Sequence, residues 1–168
     1  MRSTVIRPIL SIVLLTIAAG AAWAQQPAPP TKTFSSAADV TALLAKAKAD
    51  HKDGQATVIE NILRLAPYSA NLEYRTAVGP AAVHEREAEM FYVLDGSATL
   101  VTGGKLANEK RTNAENLTGT GIEGGTAQAV AKGDVVIVPE NTPHWFSAIA
   151  GSVVLMSLHV PRTGASNP

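Results

Sequence analysis

The sequence predicts an all-β protein, an antiparallel barrel or jelly roll, with one short helix near its N-terminus. From Thr57 onward the chain consists of short β-type runs that Gly, Pro and Asn interrupt, as is typical of antiparallel sheets. The intervals between these runs do not have the pattern of crossover helices, which argues against a parallel sheet. The candidate strands are residues 58–65, 70–78, 90–94, 98–102, 135–138, 144–149 and 153–160.

The first 24 residues have the features of a secretory signal peptide. Arg2 and Arg7 provide a positively charged start, residues 8–22 are almost wholly apolar, and residues 22–24, Ala-Trp-Ala, match the small-x-small cleavage pattern. The apolar run is shorter than the roughly 20 residues of a typical membrane span. We therefore expect cleavage after residue 24, a periplasmic or secreted protein and no membrane span in the mature chain; an uncleaved N-terminal anchor is the alternative.

The composition of the remaining chain excludes several classes of function. Without Arg2 and Arg7, 12 of the 14 basic side chains remain against 14 acidic ones, so the net charge is near −2. A nucleic-acid partner is not expected, because there is no clustered basic face. The absence of cysteine excludes thiol chemistry, disulfides and Cys-ligated metal sites.

The mature chain is expected to contain a linker and one domain. Residues 25–34 form a Pro-rich linker, and residues 35–168 are enough for a single domain with its own core. Ser35 or Ser36 can cap a helix over residues 37–49, which are rich in Ala, Leu and Lys. The helix carries one apolar stripe, formed by Val40, Leu43, Leu44 and Ala47. We expect this stripe to lie against the outside of the barrel; binding of a partner protein is the alternative.

The polar, Gly-rich segment 103–125 predicts a long loop. It begins with Gly103-Gly104 and contains several Asn, Lys and Gly residues. Loops of this length are usually functional or disordered. We expect either a lid over the barrel mouth or a flexible surface insertion.

Three side chains from distant β-type segments form a candidate metal site. His84 and Glu89 flank a charged stretch that predicts a strand corner, and His144 follows a later β-type run. Two imidazoles and a carboxylate suit a first-row divalent metal, and three protein ligands leave positions open for water or substrate. We expect Fe or Mn, with Zn possible; the sequence assigns no catalytic residue.

Two motifs around these residues resemble those of the cupins. Glu89 is followed after six residues by Gly96, with His84 ahead of it, as in the first cupin motif. Gly133, Pro139 and His144 keep the spacing of the second motif. The resemblance covers residues 79–160 and implies a double-stranded β-helix, or jelly-roll, barrel.

The chain departs from the cupin pattern at one of the expected metal ligands. The family usually supplies three His and one Glu. If His84 fills the second His position, Ala82 stands at the first; if His84 is the first, Arg86 has replaced the second. In the second motif Asn141 stands in for Gly and Ala148 for Asn. We favour the alignment with Ala82 at the vacant position.

The last predicted strand carries one further imidazole. Alternation places His159 on the same face as Val153, Leu155 and Ser157. If that face is inward, His159 is a proton carrier, an orienting group or a late substitute for the missing ligand. We favour the simpler interpretation, a strand-end imidazole at the rim. Four apolar residues are candidate pocket walls or plain core: Phe91, Val93, Leu100 and Phe146.

The resemblance implies a metal-dependent enzyme acting on a small organic molecule, of dioxygenase, lyase or isomerase type. A non-catalytic barrel that binds a small ligand or a metal is the alternative, and a barrel whose metal site has decayed is a third possibility. Cupins often pair through barrel edges, so the resemblance also implies a homodimer. Fold alone does not decide among these functions.

Overall fold

The computed structural model describes residues 30–162, one helix followed by antiparallel strands. This confirms the predicted all-β jelly roll with an N-terminal helix. The predicted signal peptide and residues 25–29 of the predicted linker lie outside the described residues. The elements are α1 (Ala37–Asp50), β1 (Thr57–Leu65), β2 (Tyr68–Arg75), β3 (Ala81–His84), β4 (Glu87–Thr102), β5 (Lys105–Ala107), β6 (Lys110–Arg111), β7 (Asn116–Gly119), β8 (Gly121–Glu123), β9 (Thr126–Ala131), β10 (Val135–Val138) and β11 (His144–Pro161).

Helix α1 begins at a capping box, which decides between the two predicted caps. Ser36 Oγ accepts a hydrogen bond from the Asp39 amide at 3.1 Å, and an Asp39 carboxylate oxygen accepts one from the Ser36 amide at 2.8 Å. Two otherwise free amides at the helix start are thereby satisfied. Within residues 30–162, no helix is long and apolar enough to cross a bilayer.

The strands form one large antiparallel sheet that folds over on itself, plus a small two-stranded ribbon. The large sheet runs in the order β1-β2-β11-β3-β7-β6. Strand β4 pairs with β11 and also with β9 and β10, and β5 pairs with β8 in the ribbon. The central pair, β4 and β11, therefore joins both halves of the barrel.

Two long strands replace four of the predicted short ones. Residues 90–94 and 98–102 both belong to β4, and residues 144–149 and 153–160 both belong to β11. The expected breaks are bends within continuous strands: Gly96 has a φ of 78°, and the β4–β11 register shifts between Ile149 and Val153. A Cβ at Gly96 would lie 2.1 Å from the Ser152 carbonyl oxygen, so the close approach requires glycine.

The prediction of a long loop over residues 103–125 is wrong. This segment contains β5, β6, β7 and β8, and β7 pairs with β3 from Ala81↔Gly119 to His84↔Asn116. Thr118 Oγ1 also donates to the Ala81 carbonyl at 3.0 Å. The polar composition misled the prediction because main-chain pairing can hold short strands together with little apolar burial.

Apolar side chains form two separate clusters, one on each side of the sheet. The outer cluster lies between α1 and the outer face of the sheet, and every residue of the predicted helix stripe belongs to it or packs against it. Its buried members are Ala47, Val58, Ile62, Ala70, Leu72 and Val154, with Val40, Leu43 and Leu44 against them. The interior cluster fills the barrel, and all four candidate wall residues belong to it. Its members are Phe91, Val93, Ala98, Leu100, Val130, Val138, Phe146, Val153 and Leu155.

Candidate metal centre

Strand register brings four chemically suited side chains to one end of the barrel interior. His84 is the last residue of β3, and Glu89 lies near the start of β4. His144 begins β11 and pairs with Ala82 of β3, the strand that carries His84. His159, near the end of β11, lies directly opposite Glu89. His144 and His159, near the two ends of β11, meet at Glu89 because the strand bends between Ile149 and Val153, where Gly151 has a φ of 73°.

The Glu89 carboxylate is the centre of this group. One of its oxygens lies 3.2 Å from His84 Nε2 and 3.1 Å from His144 Nε2, and the other lies 3.4 Å from His159 Nε2. Glu89 and His144 are buried, whereas His84 and His159 are partly exposed. The predicted site residues are thus brought together, and three Nε2 atoms converge on one carboxylate.

These separations fit a set of metal ligands. Potential ligand atoms of His84, Glu89 and His159 all lie within 4.8 Å of one another. The predicted ligand His144 is not part of that group of three, and it joins the cluster through its 3.1 Å contact with Glu89. Nitrogen and oxygen ligands at about 2.1 Å from a common ion stand about 3.0 to 3.4 Å apart in octahedral or tetrahedral arrangements. Three imidazoles and one carboxylate also form a donor set that iron, manganese and zinc accept.

The preference for His159 as a rim imidazole is wrong. Alternation correctly placed it on the face shared with Leu155 and Ser157, both of which are fully buried. The structure adds that this face is inward and that His159 lies opposite Glu89. The signal available in the sequence was the inward alternation of β11 together with the missing His; the register with β4 was not visible there.

Neither residue considered at the vacant His position contributes to the cluster. Ala82 pairs with His144 but has no donor atom in its side chain. Arg86 points away, with a side chain that is 76% exposed and 3.8 Å from Glu115. His159 therefore supplies the third imidazole from a different strand.

Each imidazole of the cluster is oriented by an oxygen on its far side. His84 Nδ1 lies 2.7 Å from Asn116 Oδ1, and His159 Nδ1 lies 2.7 Å from a Glu87 carboxylate oxygen. His144 Nδ1 lies 3.3 Å from the Thr142 carbonyl oxygen. All three partners accept hydrogen bonds, so each Nδ1 carries a proton and each Nε2 faces the cluster.

The electrostatics of the cluster favour an ionised Glu89. Burial raises the pKa of Glu89, but hydrogen bonds from His144 and His84 outweigh it and hold the pKa well below the usual range. Burial likewise lowers the pKa of His84, yet the hydrogen bonds to Glu89 and Asn116 raise it to about 9. A proton and a metal ion compete for the same Nε2 atom, so metal binding here releases protons.

Comparison with known proteins identifies the family. The cupin family model matches residues 53–166, which is more than half of the chain. The chain belongs to the cupin family. The resemblance inferred from the two motifs is therefore confirmed. No curated protein sequence matches the chain significantly.

Several solved structures are similar to this cupin at low sequence identity. KdgF from Halomonas sp. is 18% identical with a TM-score of 0.48, over 67% of this chain and 86% of that one. TT1209 from Thermus thermophilus is 15% identical with a TM-score of 0.49, over 71% and 94%. FeII HppE is 18% identical with a TM-score of 0.49, over 62% of this chain and 51% of HppE.

Proposed function

We propose that this cupin is an exported metal-dependent enzyme that acts on a small organic molecule. The observation that carries the proposal is the convergence of His84, His144 and His159 on Glu89 inside the barrel. This arrangement adds His159 to the two His and one Glu of the motifs, which argues against a decayed site. Iron or manganese is the preferred ion, and zinc also suits these donors.

The chain's own residues have separable tasks in such a site. Glu89 and the three imidazoles would hold the ion, while Asn116 and Glu87 fix the orientation of His84 and His159. When bound, a divalent metal supplies Lewis acidity and positions for exchangeable ligands. Phe91, whose ring centroid lies 5.9 Å from that of His144, forms an apolar wall that limits water around the site.

The metal proposal is tested by elemental analysis of protein purified without a metal-binding tag, in parallel with His144→Ala. We expect close to one iron, manganese or zinc ion per wild-type chain and far less in the variant, because His144 is a buried donor. Unchanged metal content in His144→Ala would contradict the proposed ligand set. Absence of metal from the wild type, even after reconstitution, would favour a non-catalytic barrel.

The export proposal rests on residues 1–24 and needs a separate test. We expect expression of the full chain in a Gram-negative host to yield a periplasmic protein whose first residue is Gln25. N-terminal sequencing and intact mass decide the matter. Retention of Met1 in a cytoplasmic product would contradict export.

Turnover is tested after metal content is known. Metal-loaded protein should convert a small organic compound in a screen matched to the metal that it contains, and His144→Ala should lose that activity together with the metal. Tight ligand binding without conversion would identify the alternative, a small-ligand binding cupin.

A further inference from the structure

The outer face of the large sheet is apolar across five strands. One row of directly opposite residues crosses β1, β2, β11, β4 and β10, and every member of the row is apolar: Leu63, Ala70, Leu158, Met90 and Ile137. Directly opposite residues share a face of a sheet. Ala70 belongs to the outer cluster beneath α1, so the whole row lies on the outer face.

Exposure increases across this face with distance from α1. Leu72 on β2 is fully buried, and its neighbour Met156 on β11 is half-buried. Tyr92, the next residue across on β4, is exposed, and Val135 and Ile137 on β10 are each 62% exposed. The helix therefore covers one side of the face and leaves a ridge of apolar side chains on β10 open.

The same face contains a groove at its opposite side, where β1, β2 and the end of β11 meet. The groove has a volume of about 330 Å³, and its lining is mainly apolar, although it includes Lys32. Leu65 and Tyr68, which pair across β1 and β2, are exposed along it. Ala70, the smallest residue of the apolar row, also lines the groove and leaves space above itself.

The ridge and the groove are placed so that two copies of the face fit each other. Three strand spacings, roughly 14 Å, separate β10 from β2. A two-fold axis along the strands, between β11 and β4, would place Ile137 of one copy over Ala70 of the other and Met90 over Leu158. Facing sheets pack with nearly aligned strands in β-sandwiches, so this arrangement is a normal one.

The open area of the face is sufficient for such a pair. Six large apolar residues on it are between 36% and 62% exposed: Leu65, Tyr68, Tyr92, Val135, Ile137 and Val160. Together they present roughly 600 Å² of apolar surface, as much as the largest patch on a typical monomer. Two copies would bury roughly 1,200 Å², which is the lower end for a specific protein interface.

Charged side chains near the face lie around its apolar centre. Lys132 and Asp95 form an ion pair beyond one end of β10, and Arg162 and Glu140 form another beyond its other end. Glu60 shares the outer face on β1, but it is paired with a lysine of α1. An apolar centre with a charged rim is the usual anatomy of a protein–protein interface.

We propose that two copies of this chain pair through the outer face of the sheet, with the Val135–Ile137 ridge of each copy in the groove of the other. The inference goes beyond the proposed function, because no metal ligand takes part in the contact. Glu89 and His159 are adjacent in sequence to Met90 and Leu158, but alternation directs them to the inner face. Pairing and metal content can therefore be measured separately.

The test is sedimentation velocity of the purified protein over a range of concentrations, with and without a chelator. Ile137→Lys places a charge on the ridge, and Tyr68→Glu places one in the groove. Ile59→Lys is the matched control, because Ile59 is 60% exposed but lies opposite Glu73 on the other face of the sheet. Circular dichroism and thermal unfolding establish that each variant folds.

We expect the wild type to sediment as a dimer that dissociates on dilution, and Ile59→Lys to behave in the same way. Ile137→Lys and Tyr68→Glu should each weaken pairing by about a hundredfold or more, because a two-fold pair contains each substitution twice and an unpaired buried charge is costly. An equimolar mixture of these two variants should pair again. In the mixed pair the introduced lysine of one copy meets the introduced glutamate of the other.

Three outcomes would each overturn the inference. They are a wild type that stays monomeric at every concentration, wild-type pairing by both Ile137→Lys and Tyr68→Glu, and a mixture that pairs no better than either variant alone. Phosphatidylcholine vesicles are the probe for a different occupant. Binding of a monomeric wild type to these vesicles, lost in Ile137→Lys, would assign the face to a lipid surface and not to a second copy.

Discussion

The two inner walls of the barrel differ in polarity, although both belong to the same sheet. On β4 the inward residues that follow Glu89, Phe91 and Val93, are apolar and almost fully buried. On β2 the inward residues include Asn71, Glu73 and Arg75, which face β11 from the other side. A substrate in this barrel would therefore meet an apolar surface on one side and hydrogen-bonding groups on the other.

The difference arises because α1 covers the outside of β2. Ala70 and Leu72 point outward into the outer cluster with Ala47 of the helix, so the apolar side of β2 is buried against the helix. The polar side of the strand must then face the interior. An amphipathic strand covered by a helix thus brings polar groups into the barrel beside the metal centre.

The largest predicted effect comes from removing the apolar wall. Phe91→Ala should reduce the free energy of unfolding by about 3 to 5 kcal/mol, because it deletes a ring packed against Phe146 and His144. Asn71→Ala, on the other side of β11, should cost less than about 1.5 kcal/mol. Denaturant unfolding of the metal-free proteins measures both. Equal losses would remove the energetic distinction between the walls.

A smaller effect is expected from the ion pair of the polar wall. Glu73→Gln leaves the partly exposed Arg75 guanidinium without its carboxylate, and we expect a loss of about 1 to 3 kcal/mol in unfolding free energy. The control Glu60→Gln, whose partner Lys46 lies on the protein surface, should have a clearly smaller effect. A Glu73→Gln protein as stable as the control would show that the buried pair is unimportant for the wall.

Metal affinity should depend on the carboxylate that orients His159. Glu87→Ala should weaken metal binding by roughly 10- to 100-fold, because His159 loses the acceptor of its Nδ1 proton. Competition with a chromophoric chelator gives the affinity. Glu85→Ala is the control, since Glu85 pairs with Arg111 on the surface and should leave affinity unchanged. Equal affinities in the two variants would exclude an orienting role for Glu87.

The smallest predicted effect on stability is at Ser157. Ser157→Ala removes a buried hydroxyl that has no partner, so the ligand-free protein should be as stable as the wild type or more stable by up to about 1 kcal/mol. Thermal unfolding in the absence of ligand measures this. A clear loss of stability would show that the hydroxyl has a structural role in the free protein.

Local patterns in the sequence predicted the parts of the fold that depend on nearby residues. A serine cap at Ser35 or Ser36 and the apolar stripe of α1 are visible in the residue types of one short segment, and the charged residues after His84 indicated the strand corner. The motif spacing placed His84, Glu89 and His144 at the same site. Each of these predictions needed only residue types and short spacings.

Long-range register accounts for what the sequence did not reveal. The pairing of His159 with Glu89 and of Asn116 with His84 depends on how distant strands align. The polar composition of residues 103–125 concealed β7, whose backbone pairs with β3. The polar interior of β2 was equally hidden, because alternation alone does not show which face of a strand a helix covers.

Metal content of His159→Ala is the most direct test of the central claim, that the last strand supplies the third imidazole of the metal centre. His51→Ala is the matched control, since His51 bonds to the Gln55 carbonyl and to Thr76 away from the cluster. We predict close to one metal ion per chain in the wild type and in His51→Ala, and far less in His159→Ala under equal metal competition. Full metal occupancy with unchanged affinity in His159→Ala would contradict the four-ligand account.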